Sequence, residues 1–196
     1  MRRLLLTLAT AALLAACSAQ VPDDAEPAST AIPSAIAARL DALDVAVGSW
    51  REAATVAEAH AAAEDARNLV VGPAGPLYGD GDGDGSLGVD PATGVLPGLD
   101  GSSGLAGPPA LNACVDADVL GGSWEDPRER WDIMLEAIDA WAPGGNTFPS
   151  LPSHPQRVVG WATLTLEAGD LDLAREYAGH AQLHVDVTRA AYESCG

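Results

Sequence analysis

Residues 78–88 read YGDGDGDGSLG, which sets Asp80, Asp82 and Asp84 two apart with a glycine between each pair and Gly85 after the last. A hard cation such as calcium takes about six to eight oxygens, and carboxylates at alternate positions converge on one as the chain wraps it. Glycine at the sixth position of such a loop permits the sharp turn. In that register Ser86 stands seventh and offers its backbone carbonyl. The twelfth position, where a closing carboxylate belongs, is Pro91, so the nearest substitute is Asp90, with Asp100 a further carboxylate in the later loop. Glycines at the second and fourth positions raise the entropy cost of closing the loop, so binding is expected in the weak range of extracellular modules, on the order of 0.1–1 mM. The alternative is an acidic connector that holds no ion.

The Asp80–Gly85 run resembles the opening of an EF-hand or dockerin-type calcium loop, and the resemblance implies calcium as the ligand. It stops there: Gly72 and Pro73 end the preceding helical pattern early and Pro91 follows directly, so no helix–loop–helix pair is expected. The longer stretch, residues 68–98, resembles segments of bacterial exported proteins that place an aspartate and glycine loop after an alanine-rich helix.

Histidines offer a second chemistry. His180 and His184 are four apart and share a helix face, with Glu176 one turn earlier, a spacing that suits a transition metal. His60 and Glu64 repeat that spacing on an earlier segment. Tyr177, Ala181 and Val185 sit beside the later pair and favour packing or surface polar contacts. His154 lies in SHP, the pattern of a turn that starts a helix. Hydrolase and nucleotide-binding signatures such as GxSxG, HExxH and Walker A are absent from the sequence. Acid pairs such as Asp170 and Asp172 read as caps and solvated faces; the tryptophans at 50, 124, 131, 141 and 161 read as core by their helical spacing, with a ligand groove as the alternative.

The first residues, MRRLLLTLATAALLAAC, pair two arginines with a short apolar run and small residues before Cys17. This is a secretory signal, too short to span a bilayer as a permanent helix. Its ending, Leu14-Ala15-Ala16-Cys17, resembles the lipobox of bacterial lipoproteins. The resemblance implies cleavage after residue 16 and a lipidated Cys17, anchored to the extracytoplasmic side of a membrane by two or more acyl chains. An ordinary signal peptide cut near Ala19 is the alternative. Residues 17–33 are polar and rich in proline, alanine and acid, as suits a flexible tether. About 180 residues remain, enough for one domain with a sizeable core. The net charge is -18 and the chain has no lysine, so arginine supplies all its fixed positive charge. That balance argues against nucleic acid and anionic lipid surfaces as partners and leaves cations and basic proteins. Cys114 and Cys195 are expected to form one disulfide, permitted by export, closing a loop of about eighty residues and contributing about 4 kcal/mol. Two free thiols or a thiol metal site are the alternative.

The elements that must position these groups read as helices. Apolar residues recur at three and four from Ile36 through Leu40, Leu43 and Val47, predicting helices over 33–53 and 55–71. Residues 72–112 are punctuated by glycine and proline, and a loop of that length needs an organiser; a cation and the Cys114 bond are the two visible ones. Asp126 before Pro127 predicts a capped helix running to Pro143, with Trp131, Leu135, Ile138 and Trp141 or Ala142 on its buried face. Two more are predicted over 155–167 and 170–194. Residues 160–186 resemble the turn and second helix of a tetratricopeptide repeat, with Leu171, Ala174, Tyr177, Ala178 and Ala181 in packing positions. One copy does not build a peptide-binding array, and an ordinary helical hairpin follows the same packing rules. The expected fold is an all-α bundle of four or five helices with a long Gly/Pro/Asp-rich insertion, covering residues 34–196. The expected function is a membrane-anchored exported lipoprotein with a non-enzymatic binding or envelope-structural role and a weak calcium-stabilised loop. The alternatives are a transition-metal protein using His180 and His184, or an enzyme of unrecognised type.

Overall fold

The structure is a computed structural model that describes residues 32–107, 112–141 and 151–193. Those residues are all-helical, with no strand among them. The signal, Cys17, nearly all of the tether and Cys195 lie outside the described residues.

Helix α1, Ser34–Glu52, buries Ile36, Leu40, Leu43, Ala46, Val47 and Trp50 along one stripe, as the three-and-four spacing requires. Helix α2, Val56–Val71, starts at Thr55, whose hydroxyl accepts from the Glu58 amide while the Glu58 carboxylate accepts from the Thr55 amide. Because Ala59, Ala62, Ala63 and Ala66 are small, α2 is surrounded at close quarters by α1, α4 and α5. A π-helical segment, Val115–Leu120, precedes α3, Pro127–Asp139, which Asp126 caps through the Glu129 amide. Helices α4, His154–Glu167, and α5, Leu171–Glu193, complete the bundle; α4 begins with a second reciprocal cap between Ser153 and Gln156. Trp50, Trp131 and Trp161 are fully buried, as their helical spacing implied. The buried face of α3 uses Trp131, Met134 and Ile138, while Leu135 is only half-buried. In α5, Ala174, Tyr177, Ala178 and Ala181 are buried and Leu171 is partly so.

The insertion that follows α2 has no regular elements up to residue 107, yet much of it is anchored to its neighbours. Gly72 turns out of α2 at φ 67°, and a later stretch of the insertion, residues 93–99, runs alongside the helix end and the turn after it. The amides of Val95 and Leu96 donate to Val70 O at 2.7 and 3.2 Å, and Leu99 N donates to Ala74 O at 2.8 Å. Arg39, reaching over from α1, donates to Leu69 O at 2.5 Å and to Thr93 O at 2.6 Å, so one guanidinium ties three segments. Trp131 Nε1 donates to Pro97 O at 2.9 Å and fastens the same turn to α3. The organiser overlooked in the sequence is therefore the C-terminal end of α2, whose last carbonyls have no helical partner of their own.

Close approach makes two glycines obligatory. A Cβ on Gly94 would lie 2.2 Å from Val71 O, and one on Gly72 would lie 2.1 Å from Gly94 N. Gly94→Ala is expected to lower stability by about 2 kcal/mol or more, read as a fall in the urea midpoint. Gly48→Ala, at a helical glycine with open space around it, is expected to raise stability by up to about 1 kcal/mol.

Candidate functional site

One turn and a half of α2, from Glu64 to Asn68, faces the aspartate and glycine loop. Asn68 and Gly79 exchange two hydrogen bonds, Nδ2 to Gly79 O at 3.2 Å and Gly79 N to Oδ1 at 3.1 Å, the pairing one peptide group gives another. Arg67 adds a longer bond to Gly79 O at 3.4 Å. Glu64 Oε2 accepts from the amides of Gly81 and, at 3.2 Å, Asp82. Asp65 Oδ1 accepts from Val89 N at 2.8 Å where the loop returns. Gly81 passes directly over the guanidinium, so a Cβ there would sit 1.9 Å from Arg67 Nη2. Gly88, at φ 57°, passes Asp65 with equal tightness.

Inside the loop the aspartates accept from amides ahead of them. Asp80 takes Gly83 N at 2.7 Å and Gly85 N at 3.0 Å; Asp82 takes Asp84 N at 3.0 Å, and Asp84 takes Ser86 N at 2.7 Å. Gly83 and Gly85 adopt φ of 75° and 85°, which the alternating glycines allow without strain. The result is a chain that curls with its carboxylates inward.

Among the described residues the Glu64, Asp80 and Asp82 carboxylates form one group, each offering an oxygen within 4.8 Å of the others. Two oxygens bound to a single calcium at about 2.3–2.6 Å lie no more than about 5 Å apart, so these three fit one ion. Glu64 is 3% exposed. Burial pushes its carboxyl above the usual range, the Gly81 and Asp82 amides oppose that, and the Asp82 charge adds to it. Burial likewise raises Asp65, against the Val89 amide. Burial pulls Arg67 down, opposed by Glu64 and Asp82.

Of the four loop carboxylates expected to ligate, Asp80 and Asp82 stand in that group, while Asp84 and Asp90 stand outside it. Asp90 accepts from Tyr78 Oη at 2.5 Å, a bond that closes the base of the loop; burial first, then this bond and the Asp90 charge, push the tyrosine hydroxyl up to about 12. Asp100 accepts from Ser102 N within its own turn. Glu64, the third carboxylate of the group, arrives from the preceding helix rather than from the loop's far end. The signal for it was a glutamate in an alanine-rich helix two turns before the helix ends; its spacing from His60 pointed elsewhere, and His60 Nε2 donates to Ala168 O at 2.9 Å.

The second histidine set separates. His180 stacks on Trp161 with ring centroids 4.5 Å apart and stands 4.0 Å from Glu176. His184 pairs instead with His154 at the start of α4, Nδ1 to Nδ1 at 2.9 Å. No group of three metal-ligating side chains forms around either histidine among the described residues. Cys114 is partly buried against the core just before the π-helical segment, and Asn112 Nδ2 reaches Ala191 O at 3.5 Å, so this stretch lies beside the last turn of α5. No protein family, no curated protein and no solved structure matches the chain.

The His154–His184 bond needs at least one neutral ring. Burial first, then His154, Arg157 and His180, pull His184 down to about 3; burial and Arg157 also lower His154, with Asp118 opposing. Depressed folded values mean that the unfolded chain binds these protons first, so their contribution is full above about pH 6.5 and is lost as pH falls towards 3. The urea midpoint of the protein is therefore expected to fall between pH 7 and pH 4.5 by more than that of His184→Gln. Equal falls would show that the pair carries none of the acid sensitivity.

Proposed function

We propose that the chain is an exported lipoprotein, tethered through Cys17 to the extracytoplasmic side of a membrane, whose helical domain has a non-enzymatic binding or envelope-structural role and takes calcium at the aspartate and glycine loop. The observation that carries the calcium reading is the convergence of Glu64, Asp80 and Asp82 within 4.8 Å on a loop of D-x-D-x-D-G spacing. Glu64, Asp80 and Asp82 would hold the ion. Asp84, Ser86 and water complete the oxygen shell once the exposed part of the loop closes. Calcium there supplies charge neutralisation and stiffness, and no chemistry beyond that.

The anchoring part rests on the resemblance of Leu14-Ala15-Ala16-Cys17 to a lipobox and on the tether-like composition of residues 17–33. Export favours both halves of the proposal, because an extracytoplasmic site of low affinity meets abundant calcium. Export also favours the Cys114–Cys195 disulfide, and the Asn112–Ala191 hydrogen bond supports it by bringing the Cys114 segment within a few residues of the second cysteine. No described helix is long and apolar enough to cross a membrane. The acidity of the chain directs the proposed partners towards cations and basic proteins rather than nucleic acid.

Calorimetric titration of the mature domain with calcium tests the loop. Binding is expected on the order of 0.1–1 mM, and calcium at ten times its Kd should stabilise the fold by about 1.4 kcal/mol. Asp80→Asn with Asp82→Asn should abolish the heat, and Glu64→Gln should weaken binding about tenfold. Absence of heat at millimolar calcium in the wild-type domain would leave an acidic connector. Metabolic palmitate labelling should be lost in Cys17→Ser; labelling that persists contradicts the anchor.

A further inference from the structure

A cleft of about 470 Å³ opens where α3 and α4 end beside the first half of α5. Its floor is aromatic. Trp141 meets Trp161 and Tyr177 edge to face at 5.9 and 5.7 Å, and Tyr177 lies against Trp161 at 5.2 Å, so the rings that line the cleft are fixed by one another. Leucines from all three helices give it apolar walls. Leu77, at φ 67° the one non-glycine in the left-handed region among the described residues, borders it from the insertion, a backbone strain of the kind that accompanies binding sites.

The charge around this cleft has one sign. Asp139 is the last residue of α3 and Glu167 the last of α4, and both line it. Two helix C-termini, each carrying roughly half a negative charge, therefore point the same way as two carboxylates. The N-terminal turn of α5 also borders the cleft, but Asp170 caps it through the Leu173 amide and Asp172 follows in its first turn. Among the described residues that line the cleft there is no arginine or histidine. The Thr163 hydroxyl behind its wall is buried with no hydrogen-bond partner among the described residues. Aromatic faces attract cations, and more strongly where water is excluded.

We propose that this cleft binds a small organic cation, an alkylammonium whose apolar chain lies on Trp141 and the leucines and whose charged head sits between Asp139 and Glu167. The same apolar walls would accept a neutral alcohol of equal length, while the two helix ends and carboxylates reject an anion; preference for the ammonium is thus the distinguishing property. The site lies on different residues from the calcium loop and stands or falls independently of it.

Three probes of one chain length, hexylammonium, hexanol and hexanoate, titrated into the mature domain and followed by tryptophan fluorescence and calorimetry, test it. Hexylammonium should bind about tenfold more tightly than hexanol, hexanoate should give no binding, and added salt should narrow the preference. Asp139→Asn with Glu167→Gln, both at exposed positions where the fold is not at stake, should bring hexylammonium down to the level of hexanol. Trp141→Leu should weaken both. Hexanol binding as tightly as hexylammonium, no binding by any probe, or a preference that survives the double carboxamide variant would each overturn the proposal.

Discussion

Amides buried between residues 72 and 107 have to be paired without help from a helix or a sheet ladder, since an unpaired one costs about as much as a lost hydrogen bond. Helix α2 meets that constraint twice over. The Val70 carbonyl near its end takes the amides of both Val95 and Leu96, and its side chains from Glu64 to Asn68 take those of Gly79, Gly81, Asp82 and Val89. The helix can do this because alanine lets three other helices close around it, which fixes the direction of its remaining polar face. The loop's glycines are then a consequence rather than a sign of slackness: Gly72, Gly81 and Gly94 stand where any side chain would collide with α2 or with the chain it holds.

The few arginines show the same logic. Arg39, Arg67, Arg130, Arg157 and Arg175 all donate to backbone carbonyls, at the ends of α2, of the π-helical segment and of the α1–α2 turn among other places. Guanidinium suits this task because its several donors can join two carbonyls at once. Only Arg189, with Asp41 and Asp44, makes a close pair with carboxylates among the described residues, beside a looser contact from Arg175 to Asp172. Much of the acidic surface of a chain of net charge -18 is thus left without a close ion-pair partner among the described residues, although the Arg67 guanidinium lies near Glu64 and Asp82.

The helices could be read from the sequence because local rules agree with one another there. Ile36 to Val47 keep the helical period, and Asp126 before Pro127 and the SHP turn at His154 mark starts within a residue or two of where the chain begins to coil. Two of the three members of the loop group were legible for the same reason, since Asp80 and Asp82 lie two residues apart in the sequence. Glu64 was not, because a glutamate in a helix looks the same whether it meets water or two amides of a later loop. His154 and His184, thirty residues apart, came together only through the packing of α4 on α5. The π-helical VDADVL carries no period that would have announced it.

Amide hydrogen exchange reports most directly on the claim that α2 organises the insertion. The account predicts that Gly79, Gly81, Asp82 and Val89 exchange slowly in the native protein, and that Glu64→Gln combined with Asn68→Ala frees the first three while Val89 and the amides of α4 and α5 keep their protection. Rapid exchange of these amides in the native protein, or protection untouched by the two substitutions, would contradict it.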